Sequence, residues 1–284
     1  MKYPFRFLRY TLCGFAATCA LSTVAYAQNS AQFEQAFKQK TTEFLAAIPG
    51  EAKRPELLPS GAMGSVMTPT GFGGSGFNAF GGIGGAYPQL YTNRADLGGS
   101  VGVCIGNPVT ALNVAVGLNI ADISTFNNYS ANLILSKRVF RGSSISVGGL
   151  GMFADGLKSD AAKNTYYVAF SHSVQSLPSK TPGSSRLTYS IGIGNGRFYE
   201  KSPLDMANGK GRYGTAVFGG VSYELIRNVN INAEWTGTNL GFSTGIRPFK
   251  KPLSLGVGVT NLTDYSGDKT SMVFSLGYPL ALTR

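Results

Sequence analysis

From about residue 77 to the final residues of this 284-residue chain, apolar side chains recur at every second position, and the positions between them are almost free of charge. A period of two puts successive side chains on opposite faces of an extended strand, so this region can fold as strands and not as helices. Leu112, Val114, Val116, Leu118 and Ile120 alternate with Asn113, Ala115, Gly117 and Asn119. Leu187, Tyr189, Ile191 and Ile193 alternate with Thr188, Ser190, Gly192 and Gly194, and Val229, Ile231, Ala233 and Trp235 with Asn230, Asn232 and Glu234. About twelve strands are expected, near 77–87, 97–106, 109–120, 129–140, 143–153, 164–175, 184–195, 213–225, 228–236, 239–247, 252–261 and 270–282.

The connections alternate in length. Gly106-Asn107-Pro108, Arg141-Gly142, Ile226-Arg227 and Phe249-Lys250-Lys251 are tight turns, and 88–96, 121–128, 154–163, 196–212 and 262–269 are longer. Two connections break the rule: 176–183 is long where a short one is due, and 237–238 is short. Short turns at one end and long loops at the other describe an all-β, antiparallel up-and-down transmembrane β-barrel.

Alternation also suits a soluble lipocalin-like barrel, and the chemistry of the polar face separates the two. A face meeting water carries Lys and Glu. Here that face is Gly, Ser, Asn and Thr, and only 14% of all residues are charged, against roughly 25% in soluble domains. Small uncharged residues suit the concave inside of a closed barrel, and branched and aromatic ones suit a lipid-facing outside. Tyr129, Phe140, Phe153, Tyr166, Tyr167, Tyr213, Tyr223, Trp235 and Phe249 sit near strand ends, where an interfacial girdle belongs.

The chain begins with Lys2, Arg6 and Arg9, an apolar run from Tyr10 to Val24, and the small-residue pattern Ala25-Tyr26-Ala27. This reads as a secretory signal peptide over 1–27, cleaved after Ala27. Cys13 and Cys19 fall inside it, leaving Cys104 alone in the mature chain, so no intramolecular disulfide is expected. With a single His in the sequence, a Cys/His metal centre is excluded. Residues 28–76 read as an N-terminal amphipathic helix, with Phe33, Phe37, Phe44, Leu45 and Ile48 on one side of 31–48, followed by a flexible linker. Gly71-Phe72-Gly73-Gly74-Ser75-Gly76 matches G-x-G-x-x-G without the strand before it or the helix after it, so no dinucleotide and no other cofactor is expected. The barrel is assigned to 77–284.

The signal peptide, the alternating strands and the Gly-rich inner face resemble Gram-negative outer-membrane β-barrels of the porin-like type. The last strand, Ser275-Leu276-Gly277-Tyr278-Pro279-Leu280-Ala281-Leu282, is similar to their insertion signal, with Gly277, Leu280 and Leu282 at its characteristic positions. It departs from the usual form in running on to Thr283-Arg284 and in carrying Pro279. The resemblance implies the outer membrane as location, with the lipid bilayer and the barrel-insertion machinery as partners.

With both termini periplasmic, as is usual for such barrels, charge can be assigned to sides. The N-terminal segment and the long loops each cancel. Lys137, Arg138, Arg141, Lys180, Arg186, Arg227, Arg247, Lys250 and Lys251 face only Glu224 and Glu234 on the turn side and strands. Lys137, Arg138, Arg141, Arg227, Lys250 and Lys251 are therefore expected to form a basic periplasmic rim that meets lipid headgroups or anionic solutes. Nucleic acid is not implied, because the basic residues lack interleaved aromatics on one surface.

The expected function is a narrow channel for small polar solutes. Asn113, Asn119, Asn230, Asn232, Glu234 and Arg247 would line its lumen, with Gly117, Gly192, Gly194, Gly256 and Gly258 keeping it open. The helix 31–48 would plug the lumen or lie on the membrane surface. The alternative is a plugged barrel that anchors an envelope or polysaccharide system. An acyl hydrolase comes third: His172 is flanked by Ser171 and Ser173, but alternation puts them on the opposite face, and position 174 is Val. No catalytic residue is assigned.

Overall fold

The structure is a computed structural model that describes residues 39–40, 55–62, 64–89, 95–123, 126–154, 164–249 and 252–282. Twelve strands follow in order: β1 (Asn78–Tyr87), β2 (Asp96–Gly106), β3 (Asn113–Asp122), β4 (Asn127–Phe140), β5 (Ser143–Met152), β6 (Thr165–Ser173), β7 (Leu187–Gly194), β8 (Val217–Ile226), β9 (Val229–Trp235), β10 (Leu240–Ile246), β11 (Ser254–Thr260) and β12 (Ser271–Ala281). Each pairs antiparallel with its neighbour in sequence, and β1 pairs with β12 from Asn78↔Ala281 to Tyr87↔Met272, which closes the barrel. Closure leaves no strand edge unpaired. The strands match the alternation one for one. β3 starts later than expected because 108–110 turn back, with Ala111 N–H donating to the Asn107 carbonyl at 2.9 Å.

Glu56–Arg284 forms one compact unit and Met1–Pro55 another. Of the expected helix 31–48, only Gln39 and Lys40 are described, and they are helical. The signal peptide, Lys250 and Lys251 lie outside the described residues.

The packing is inverted relative to a soluble domain. Outward side chains are large, apolar and exposed all round the wall: Val101 is 61% exposed, Leu118 60%, and Ile191, Ile231, Phe242 and Met272 are exposed with them. Inward side chains are small, polar and buried, including Ser136, Ser146, Ser171, Asn230 and Asn232. Several of them bond across strands, as in Ser171–Ser190 at 2.6 Å, Asn230–Ser222 at 3.1 Å and Asn232–Ser243 at 3.0 Å. An apolar belt this continuous is insoluble in water and solvated by a bilayer, where a closed ladder also satisfies every backbone group of the wall. Among the described residues no helix is long and apolar enough to cross a membrane.

One end of the barrel holds the start of β1, the end of β12 and mostly short turns; the other holds mostly long loops. At the loop end, the β7–β8 connection contains a 3₁₀ turn (Gly196–Phe198) and α1 (Pro203–Ala207). It is tied to the β11–β12 loop. Ser202 Oγ accepts from Asp205 N–H at 3.1 Å and donates to Asp268 at 2.7 Å, and Asp205 accepts from Gly267 N–H. Lys201 Nζ donates to the carbonyls of Lys210 (2.8 Å) and Tyr265 (2.6 Å).

Burial pushes the Asp268 carboxyl above the ordinary 3.8, and the nearby Asp205 charge adds to the shift against the Ser202 hydrogen bond. A carboxyl raised in the folded state favours folding while protonated, and that contribution is lost as pH rises through the raised value. Proteolysis within these loops should therefore quicken as pH climbs above the ordinary carboxylate range, and Asp268→Asn should flatten the dependence. An unchanged profile in the variant would contradict this.

Candidate functional site

The stretch expected to be a free linker is instead folded against the inner wall. Its described residues touch β2, β3, β4, β5, β6, β8, β9 and β10, always on the small polar face, and only a segment inside the barrel can do so. It enters at the turn end. Glu56 pairs with Arg138 and accepts from Gly142 N–H at 2.5 Å. The Gln175 side chain clips both backbone groups of Leu57, accepting from its N–H at 3.0 Å and donating to its carbonyl at 2.9 Å. Leu58 N–H donates to the Gly183 carbonyl and Ser185 N–H donates to the Leu58 carbonyl, at 2.9 and 2.8 Å. The connection at 174–186, unusually long for its end of the barrel, thus serves as a clamp on the incoming chain.

The segment rises past Arg247, beside Gly61, and past Ser222, beside Gly64. Its tip lies on β9. The Glu234 carboxylate accepts from the backbone N–H groups of Val66, Met67 and Thr68 at 3.0, 3.1 and 3.0 Å, and from the hydroxyls of Ser65 at 2.5 Å and Thr68 at 2.9 Å. Ser243 adds a further contact at 3.3 Å. The return limb descends with Ser146 Oγ donating to the Thr70 carbonyl at 2.8 Å and Gly71 N–H donating to Ser171 Oγ at 2.7 Å. It leaves at the turn end, where Gly76 N–H reaches the Gly106 carbonyl at 2.9 Å.

This fit explains Gly71 and Gly73. A Cβ on Gly71 would overlap the Ser144 carbonyl oxygen and lie 2.8 Å from the Ser171 nitrogen, and one on Gly73 would overlap Ser136 Oγ. Glycine is used here for close approach to a wall, not for flexibility.

At the loop end, a second group fills the lumen. Phe198 and Phe218 stack at 4.2 Å, and Tyr167 meets Phe218 edge-on at 6.0 Å. A Cβ on Gly192 would strike the Phe218 ring and one on Gly194 the Phe198 ring. The expectation that these two glycines hold the lumen open is corrected: they seat aromatic rings inside it. Tyr167, expected in the outer girdle, is likewise turned inward and buried. Tyr129, Phe153, Tyr166, Tyr213 and Phe249 are exposed.

Among the described residues a crevice of about 600 Å³ runs along β12, β1, β2 and β3, lined by Gly82, Gly84, Ser100, Asn119 and Ser275 together with Phe80 and Pro279. The Phe80 ring lies at its turn end, over Gly102 and Gly117. The lining is uncharged.

Among the lumen residues expected from sequence, Asn113, Asn230, Asn232 and Glu234 are buried on the inner wall. Asn113 is beside Gly73 of the inserted segment, and Asn119 belongs to the crevice. Arg247 lies beside Gly61 of the same segment. The rim residues separate. Lys137 and Arg227 are exposed, and Arg141 is half-buried in its hairpin turn. Arg138 is turned inward onto Glu56, so a charge of the N-terminal segment is balanced by the barrel and not within that segment. In β12, Gly277 faces inward opposite Gly82 and Leu280 is exposed, as is Leu282 just beyond the strand.

His172 faces outward near the turn end, its ring 5.4 Å from that of Tyr189, with Nδ1 2.6 Å from Ser143 Oγ. Ser143 is the cross-strand partner of His172, which strand alternation alone could not reveal. Ser143 as a residue is only 4% exposed, and no described carboxylate hydrogen-bonds the ring. A nucleophilic pair needs an accessible hydroxyl and a third group to orient the base. Ser171 and Ser173 are buried on the inner face.

The described residues contain no group of three or more His, Cys, Asp or Glu side chains placed to hold a metal ion. No protein-family model matches the sequence. No curated protein matches it by sequence either. Among solved structures, the chain is similar to the KdgM porin in complex with disordered oligogalacturonate (10% identity, 72% of this chain and 99% of that one, TM-score 0.40). It is also similar to an outer membrane channel from Pseudomonas putida F1 (11% identity, 82% and 99%, TM-score 0.39) and to outer membrane phospholipase A from Escherichia coli (10% identity, 72% and 89%, TM-score 0.38). A likeness of this degree, shared by channels and a lipase, carries no assignment of function.

Proposed function

We propose that this chain is an outer-membrane channel for small, uncharged polar solutes, constricted by its own residues 56–76. Support comes from the crevice, whose uncharged lining sets Ser100, Asn119, Ser254 and Ser275 among glycines and apolar residues, and from the segment inserted beside it. Elsewhere on the inner face, Arg138 is engaged by Glu56, Glu234 by the inserted tip, and Glu224 by Lys180 N–H at 3.1 Å. A neutral wall with hydroxyl and amide groups favours neutral hydrophilic solutes over ions. Delivery follows from cleavage after Ala27, and insertion from recognition of β12 through Gly277, Leu280 and Leu282. Lys137 and Arg227, with Arg141, Lys250 and Lys251, would meet lipid phosphates at the periplasmic rim.

Conductance of the refolded mature chain in a planar bilayer, compared with a chain lacking 28–70, tests the proposal. A small conductance is expected from the mature chain and one several-fold larger after deletion. Silence in both would sink the channel and favour the second reading, a sealed barrel serving as an envelope anchor, to which the same inserted segment lends support. The hydrolase reading predicts phospholipid hydrolysis lost in His172→Ala; we expect none in either protein.

A further inference from the structure

We propose that Ser65–Thr68 form a carboxylate-binding nest, filled in the closed state by Glu234, and that this pair is the latch of the lumenal plug. The inference rests on the channel reading and adds how the plug is held. Three consecutive backbone N–H groups converging on one carboxylate make a preorganised anion site, and two hydroxyls complete it. Glu234 is 1% exposed, and no described cation pairs with it. A buried carboxylate is tolerable only while its oxygens are saturated with donors, and here the plug supplies nearly all of them. The dependence is mutual. Without Glu234, the Val66 and Met67 N–H groups would lose their acceptor, and Thr68 N–H would keep only its 3.3 Å contact to Ser65 Oγ.

The latch is also releasable. Ser65–Thr68 contribute no strand to the barrel, so their departure breaks no ladder, and Glu234 and the freed N–H groups then bond to lumenal water. Glu234 stays in register between Gly220 of β8 and Gly241 of β10 whether or not the plug is present. The ligand class of the nest is a carboxylate, and any small carboxylic acid able to reach the tip competes with Glu234 for it.

Two readouts test the latch in the refolded mature chain: bilayer conductance, and chymotrypsin cleavage after Phe72, which does not depend on whether the barrel conducts. Glu234→Ala is expected to raise conductance several-fold and to speed cleavage at Phe72. Millimolar acetate, which restores the lost carboxylate, is expected to reverse both, while chloride does not. Glu234→Gln is expected to open the plug as Ala does, because its amide NH₂ faces donors, and acetate is not expected to rescue it. Should Glu234→Ala fail to refold, Ser65→Ala combined with Thr68→Val removes the two hydroxyl donors from the plug side and is expected to give a smaller increase in both readouts. Wild-type protection of Phe72 in the variant that folds would overturn the latch. If deletion of 28–70 opens the barrel while Glu234→Ala stays closed and protected, the latch fails and the channel stands. If no variant conducts but cleavage responds to Glu234 and acetate, the channel fails and the latch stands.

Discussion

Replacing Gly71 with leucine is expected to open the barrel without weakening its wall. The new side chain has nowhere to go: its Cβ would overlap the Ser144 carbonyl oxygen and come within 2.8 Å of the Ser171 nitrogen. Those atoms cannot yield cheaply, because Ser144 and Ser171 are register partners in the β5–β6 ladder. The plug can yield, since its return limb is held near there by the Gly71–Ser171 and Thr70–Ser146 hydrogen bonds. Overpacking of this kind costs about 1–3 kcal/mol. Spent on the plug, it shifts the closed-to-open ratio by roughly 5- to 150-fold. Single-channel recording should show longer or more frequent large-conductance openings, with heat and denaturant resistance close to wild type. Unchanged conductance in a folded Gly71→Leu protein would mean that the return limb does not obstruct the path.

Phe218→Ala is expected to give the largest loss of stability of any single truncation inside the barrel. The Phe218 ring is 1% exposed, stacks on Phe198, meets Tyr167 edge-on and covers Gly192. A buried Phe→Ala change removes contacts and leaves a cavity, at a cost of about 3–5 kcal/mol. The neighbours cannot collapse to fill it, because they are fixed to β6, β7 and the 3₁₀ turn. The guanidinium midpoint of the refolded barrel should fall clearly. Truncating Phe242, which faces outward, should cost less, because lipid chains fill the space it leaves. Equal losses at the two positions would deny that the inner cluster is a core.

The fold was legible because a barrel wall has one period and two solvents. Each strand had only to alternate, and the polar residues showed by their lack of charge which way they faced. The site was less so. Asn113, Asn230, Asn232 and Glu234 could be placed on the inner face by parity, but parity says nothing about what lies across a lumen. Glu234 read as a lone charge in a pore; its partners on the inserted tip are 166 to 169 residues away in sequence. Residues 51–76 read as a linker for a related reason. Gly, Ser and Thr suit an open chain and also a chain pressed on a wall of Ser and Asn. One sign was available: residues 57–76 carry no charge at all, which is unusual for a segment in water.

The sequence alone determined the strands, their faces, their number and the two unlike ends, because these follow from local stereochemistry and from hydrophobicity along one strand at a time. It also determined that the wall would meet an apolar medium. Only the tertiary structure decided what occupies the interior. Barrel closure sets inward residues from distant strands across one lumen, so that Arg138 meets Glu56, Phe198 meets Phe218, and the tip at Val66–Thr68 meets Glu234. Those encounters depend on strand register and loop length around the whole circumference, and no local pattern carries that information.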